Sequence, residues 1–286
     1  MWLRDSLPYD LTSEDRPIAR VMIYGYDSTV AESKSMQNFE DFATNLGGLI
    51  IKQALILLSG SETKESRTII RAVYGVVFFG TPHHGMDISS LIPMAGDGPN
   101  RSLIESLSHD NSLLLTLQHR EFHKVLGGEG ESEVFCFYET LKSPTAQQDQ
   151  FGGWTMTGPG ALLVTKSSAT HCRPWEDGAE NICALTRTHS ELVKFKPNDS
   201  DYDVVKEKID GLCRRAFVGR GVTFDLYCKN VMHMDIWLTP LTMSSAVNSG
   251  ILPSGILPLM FTVINAIGMD IMPTNTVINA TYAGIL

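Results

Sequence analysis

Short apolar runs alternate along this chain with stretches whose apolar residues recur every three or four positions. That alternation predicts strands separated by helices. Residues 20–24 (Arg-Val-Met-Ile-Tyr) form a β-rich run that stops at Gly25-Tyr26-Asp27-Ser28, which reads as a strand and a turn. Residues 31–44 read as a helix with Phe39 and Phe42 on one side, and residues 46–58 as an apolar, buried helix. After a polar loop at 61–67 come the strand Val76–Phe79 and the Gly/Pro loop Thr81–Gly85. Amphipathic helices are expected at 102–107 and 112–126, and strands at Glu133–Glu139 and Leu162–Lys166. Short helices are expected at 190–196 and 202–216. Strands alternating with helices in this way build parallel βαβ units, so the expected fold class is α/β.

The pattern changes near residue 218, and from Ile236 to Met269 there is no charged residue. Two units follow from this: an α/β domain over 1–217 and an apolar, low-charge C-terminal tail over 218–286. The segment 251–269 is long enough to cross a bilayer by count, but Pro253, Gly255, Pro258 and Asn265 interrupt it. An apolar tail packed on the domain is the favoured reading, and membrane association the alternative.

Charge and cysteines narrow the function classes. A formal net charge of -9 argues against nucleic acid as a main partner, because phosphate binding wants a basic face. Five cysteines without CxxC or metal spacing suit a reducing compartment better than a disulfide framework. The N-terminus carries an acidic residue early and has no apolar h-region, so it does not read as a secretory signal. The adjacent His83 and His84 lack a third ligand at sensible spacing, so no metal and no cofactor are expected.

Six segments in order carry a family resemblance: Trp2-Leu3-Arg4-Asp5, Tyr24–Ser28, Leu46-Gly47-Gly48-Leu49-Ile50-Ile51-Lys52-Gln53-Ala54-Leu55, Gly75–Gly85, Phe137-Tyr138-Glu139, and Thr188–Phe195. Over residues 2–209 the chain resembles the α/β-hydrolase domain of serine esterases and lipases of the serine-active-site-containing-protein type. Such domains head fungal proteins with NACHT and ankyrin modules. The resemblance implies a mostly parallel sheet flanked by helices, and a Ser-Asp/Glu-His triad acting on esters or lipids. It also implies mitochondrial or endoplasmic reticulum membranes as an alternative to the cytoplasmic location that the cysteines suggest.

Two departures change what the resemblance implies. The sequence starts after the point where the family domain is expected to carry a Gly-rich His-Gly loop that supplies an oxyanion donor. A stretch ending in Gly-His-Ser is missing, and Thr44-Asn45 instead joins the flanking segments directly. About twenty residues are absent, the length of a buried strand and its approach. The sheet is therefore expected to be incomplete, without its central nucleophile strand. Asn45 stands at the nucleophile position, and an amide is a very poor acyl acceptor. Leu46 follows it, where a backbone N–H at a helix start could serve an oxyanion. Gly47 and Gly48 cost helix propensity, which close packing must offset.

His189 lies in the loop after the last strand, where a triad base belongs, although Thr188-His189-Ser190-Glu191 also reads as a helix start. Glu139, at a strand end, could orient that imidazole or be merely solvated; Asp87 and Asp149 are weaker candidates. Ser28, Thr29 and Ser59 lie outside any Gly-x-Ser-x-Gly frame. Losing the central strand should leave Arg20–Tyr24 to slide across to Val76–Phe79 or stay unpaired. Three functions remain open: a hydrolase relative without activity, an interaction or signalling module binding protein partners, and a membrane-associated protein.

Overall fold

The computed structural model describes residues 2–13, 16–17, 37–89, 91–97, 101–109, 112–127, 132–173, 175–176, 178–219 and 260–264. Its centre is a parallel sheet. The strand Val73–Phe79 pairs with Glu133–Glu139, placing Gly75 opposite Glu133 and Phe79 opposite Phe137. Glu133–Glu139 pairs in turn with Ile182–Leu185, Glu139 opposite Leu185. A further strand, Met260–Ile264, lies parallel along the other side of Val73–Phe79, with a bulge between Val73 and Gly75.

A parallel sheet must be covered on both faces, and strand alternation assigns side chains to the two layers. Val77, Phe79, Phe135 and Phe137 point to one face, where they meet Val205, Ile209, Leu212 and Cys213 of the helix Ser200–Gly219. The short helices Trp2–Asp5 and Leu7–Asp10 complete that layer with Trp2, Leu3 and Leu7. The Trp2 indole donates to the Val193 carbonyl at 2.8 Å and meets Phe195 edge-on at 5.1 Å. Val76, Phe78, Val134 and Cys136 point to the opposite face, against Leu55 of the helix Gln37–Gly60 and Phe122 of the helix Leu113–Phe122.

Helix starts follow local chemistry. Thr63, Ser112 and Thr165 cap the helices Lys64–Ala72, Leu113–Phe122 and Lys166–Thr170, each hydroxyl accepting an N–H three residues on. The last of these caps corrects one expectation. Leu162–Lys166 is a loop running into a helix, and the strand in that part of the chain is Ile182–Leu185. The amides of Leu163 and Val164 turn onto a carboxylate side chain instead of joining the sheet.

The region around Thr44 and Asn45 also departs from expectation. A single unbroken helix, Gln37–Gly60, runs through Thr44 and Asn45 where two helices and a junction were expected. The expected strand Arg20–Tyr24 lies outside the described residues. Met260–Ile264, inside the apolar stretch set apart by sequence, takes a place on the sheet beside Val73–Phe79. Residues 251–259 and 265–269 lie outside the described residues. Among the described residues no helix is long and apolar enough to cross a membrane.

Candidate active site

Glu139 and His189 are brought together at the carboxyl ends of their strands. Glu139 closes its strand, and His189 opens a 3-10 turn, His189–Glu191, four residues beyond Leu185. Both are buried, at 3% and 1% exposure. Oε2 of Glu139 bonds Nδ1 of His189. Oε1 accepts the backbone N–H of Leu163 at 2.8 Å and of Val164 at 3.2 Å. A carboxylate is acceptor-only, so this arrangement places the Nδ1 proton on the imidazole. The His189 backbone N–H donates to Ser143 Oγ at 3.0 Å, which fixes the start of the turn.

The other ring nitrogen is the informative one. His189 Nε2 is buried and has no hydrogen-bond partner among the described residues. An imidazole held by a carboxylate at Nδ1 presents Nε2 as a lone pair, the geometry of a general base. Close packing holds the ring in place. Gly80, with φ +58°, would put a Cβ 2.8 Å from His189 Cε1 and 2.6 Å from Leu192 Cδ1. Neither the backbone conformation nor the space admits a side chain there.

The helix Gln37–Gly60 packs against the His189–Glu191 turn, but it carries no elbow. Asn45 and Leu46 are the ninth and tenth residues of this helix, counting from Gln37. Helical geometry commits the Leu46 N–H to the carbonyl four residues back, so it is not a free donor at a helix start. The physical reason is continuity. Without a strand to end at Asn45, nothing interrupts the helical hydrogen bonds. Gly48 does meet a close neighbour: a Cβ would lie 2.1 Å from Thr81 Oγ1, just past the end of Val73–Phe79.

The remaining candidates sit elsewhere. Asp87 accepts the Ser89 N–H at 2.9 Å, and Asp149 accepts Phe151 and Gly153 N–H groups in an exposed turn. Ser59 is exposed and bonds the Ile56 carbonyl at 2.8 Å. Ser28 and Thr29 lie outside the described residues. His83 and His84 part company: His83 is buried, while His84 faces outward to His119, its Nε2 3.2 Å from His119 Nδ1. Among the described residues no group of three side chains is arranged to hold a metal ion.

His83 belongs to a buried polar cluster that pattern reading did not assemble. Lys52 Nζ lies 3.2 Å from His83 Nδ1, and Cys136 Sγ is 3.9 Å from His83 Nε2. Burial lowers the Lys52 ammonium against opposing pulls from Cys172 and Cys136, and burial lowers His83 as well. Burial pushes Cys172 up, but a hydrogen bond from Cys136 and the charges of His83 and Lys52 outweigh it, so that thiol is held well below its usual range. The sequence signal was Lys52 itself, a lone cation inside the apolar run 46–58. Burial first, and then His119 and His171, bring His84 down to about 4.

A second buried group was also missed. The fully buried Arg173 guanidinium grips Glu176, and donates to the Ser132 carbonyl at 2.9 Å. Glu176 in turn accepts the Val134 N–H at 2.9 Å, which ties the loop to the Glu133–Glu139 strand.

Comparison with known proteins adds a partial relationship. One stretch of 100 residues is 34% identical to Protein SERAC1 of Bos taurus. The match takes in 34% of this chain and spans 14% of the bovine protein. No family model matches the chain. No solved structure matches it. The chain has an α/β fold with a parallel sheet flanked by helices, and over about a third of its length it is similar to SERAC1.

Proposed function

We propose that this chain is a degenerate serine-hydrolase-like domain that keeps the acid–base half of a triad and does not perform acyl transfer. The reading rests on one observation. His189, bonded through Nδ1 to Glu139, has a buried Nε2 without a partner, beside a helix that passes unbroken through Asn45. A base of this kind needs a hydroxyl to deprotonate. The motif resemblance of the six ordered segments supplies the reaction class, and the partial likeness to SERAC1 lies alongside it. In an intact domain an ester or lipid acyl group would be attacked by a serine, and Glu139 would stabilise the imidazolium. On this reading residues 1–217 are the hydrolase-like domain, and Met260–Ile264 of the tail supports its sheet.

The test uses the full chain with a fluorophosphonate probe and an aryl ester. The expected result is no labelled serine, and ester turnover no greater than that of His189→Ala. Stoichiometric labelling of a serine, or hydrolysis that depends on His189, would overturn the proposal. A second reading, an interaction module, is favoured by the outward leucines of one helix: Leu113 is 71% exposed, and Leu114 and Leu117 are 39% exposed.

A further inference from the structure

Six of the chain's eight histidines (His83, His84, His109, His119, His123 and His171) collect around the loop that follows the Val73–Phe79 strand. Three of them, from three separate elements, turn their rings towards one another. His84 comes from that loop, His119 from the helix Leu113–Phe122, and His171 from the end of the helix Lys166–Thr170. The ring centroids are 4.5 Å apart for His84 and His119, 5.2 Å for His84 and His171, and 6.1 Å for His119 and His171. We propose that these three imidazoles form a binding site for one divalent transition-metal ion of the zinc class, completed when His171 swings towards the other two.

The geometry of the pair carries the argument. Two nitrogens bound to a tetrahedral ion at about 2.0–2.1 Å lie about 3.3 Å apart. His84 Nε2 and His119 Nδ1 are hydrogen-bonded at 3.2 Å, a separation that an ion displacing the shared proton could keep. Ring centroids in such a site sit about 5 Å from one another, and the three observed separations bracket that value. The triangle is open along one side, between His119 and His171. As they stand, no three groups among the described residues could hold a metal ion, so the site requires His171 to move. His171 is exposed, and among the described residues only the two ring contacts hold its imidazole, so a side-chain rotation closes the gap.

The backbones behind the ligands are fixed. Ser168 Oγ accepts the His84 N–H at 3.2 Å and donates to the Gly85 carbonyl at 2.5 Å, which locks the loop to the helix that ends at His171. His109 Nδ1 lies 3.0 Å from the His84 carbonyl. Nitrogen donors without thiolate or carboxylate suit zinc, nickel, cobalt and copper ions, and exclude magnesium and calcium. The solvent-facing side leaves a fourth position for water. A bound ion would clip three elements together at the rim of the sheet.

The experiment titrates the full-length protein with Co²⁺ and then with Zn²⁺ against a chromophoric chelator. Expected are one equivalent with a micromolar dissociation constant, tetrahedral d–d absorption without a thiolate charge-transfer band, and a raised melting temperature. His84→Ala with His119→Ala should abolish the signal, and His171→Ala should weaken binding at least about tenfold. His171→Asn, at an exposed position, guards against misfolding of the alanine variant. Absence of micromolar binding, a thiolate band, or affinity unchanged in the double variant or in both His171 variants would overturn the proposal.

Discussion

Glu139→Gln tests what holds His189 in place. Glutamine keeps the shape of the side chain but has one acceptor oxygen and one donor nitrogen. At this position the carboxylate meets three N–H groups, those of Leu163 (2.8 Å), Val164 (3.2 Å) and His189 Nδ1. The amide oxygen can satisfy the two backbone donors. Its NH₂ then faces Nδ1, which must give up its proton and accept. In the neutral ring the proton moves to Nε2, a buried atom with no partner among the described residues. Nε2 is unpaired in either tautomer, so the added cost is the second amide proton of the glutamine, a new buried donor worth about 1–3 kcal/mol, and the exchange of a charged for a neutral hydrogen bond, about 1 kcal/mol more. Urea unfolding should therefore show a loss of about 2–4 kcal/mol. Nitrogen-15 NMR of the His189 ring should report a switch from the Nδ1–H to the Nε2–H tautomer. Retention of the Nδ1–H tautomer, with stability within about 0.5 kcal/mol of the wild type, would refute the idea that Glu139 orients this histidine.

Gly80→Ala should destabilise by about 2–5 kcal/mol in urea titration, adding a left-handed backbone penalty to a Cβ 2.8 Å from the His189 ring. Arg173→Met leaves Glu176 buried without its cation and should cost about 3–5 kcal/mol, while Arg173→Met with Glu176→Gln should cost less than the single change. His83 is held below its ordinary value of 6.5, so the unfolded chain takes up the proton first as the solution is acidified. Its contribution to stability is thus complete above about pH 6.5 and lost below it, with a slope of up to about 1.4 kcal/mol per pH unit. Chemical denaturation across that range should show a shallower slope in His83→Gln.

Alternating apolar runs announced the α/β class, and the strands at Val76–Phe79, which the structure extends back to Val73, and at Glu133–Glu139 were legible because each is a compact apolar run. Leu162–Lys166 misled for a reason that no local pattern carries. Its amides are satisfied by Glu139, and Thr165 caps a helix, so an apolar stretch with strand-like residues never enters the sheet. Ile182–Leu185 escaped notice because four residues give too short a pattern to stand out. Within the site, Glu139 and His189 were candidates because the family resemblance places an acid and a base at those points in the chain order. The Lys52–His83–Cys136–Cys172 cluster and the three outward imidazoles could not be seen, because their members are scattered from residue 52 to 172.

By itself, then, the sequence determined one absence: no Gly-x-Ser-x-Gly frame exists anywhere in the chain. That is a property of covalent composition, and no folding can change it. Tertiary structure decided how the chain around Asn45 and the edge of the sheet are laid out. A helix runs on through Asn45 because no strand breaks its hydrogen bonds. Met260–Ile264 lies along Val73–Phe79 because the open edge of a buried sheet has N–H and C=O groups that must find partners. Such pairing joins residues nearly two hundred positions apart. Only the folded chain brings them within hydrogen-bond reach.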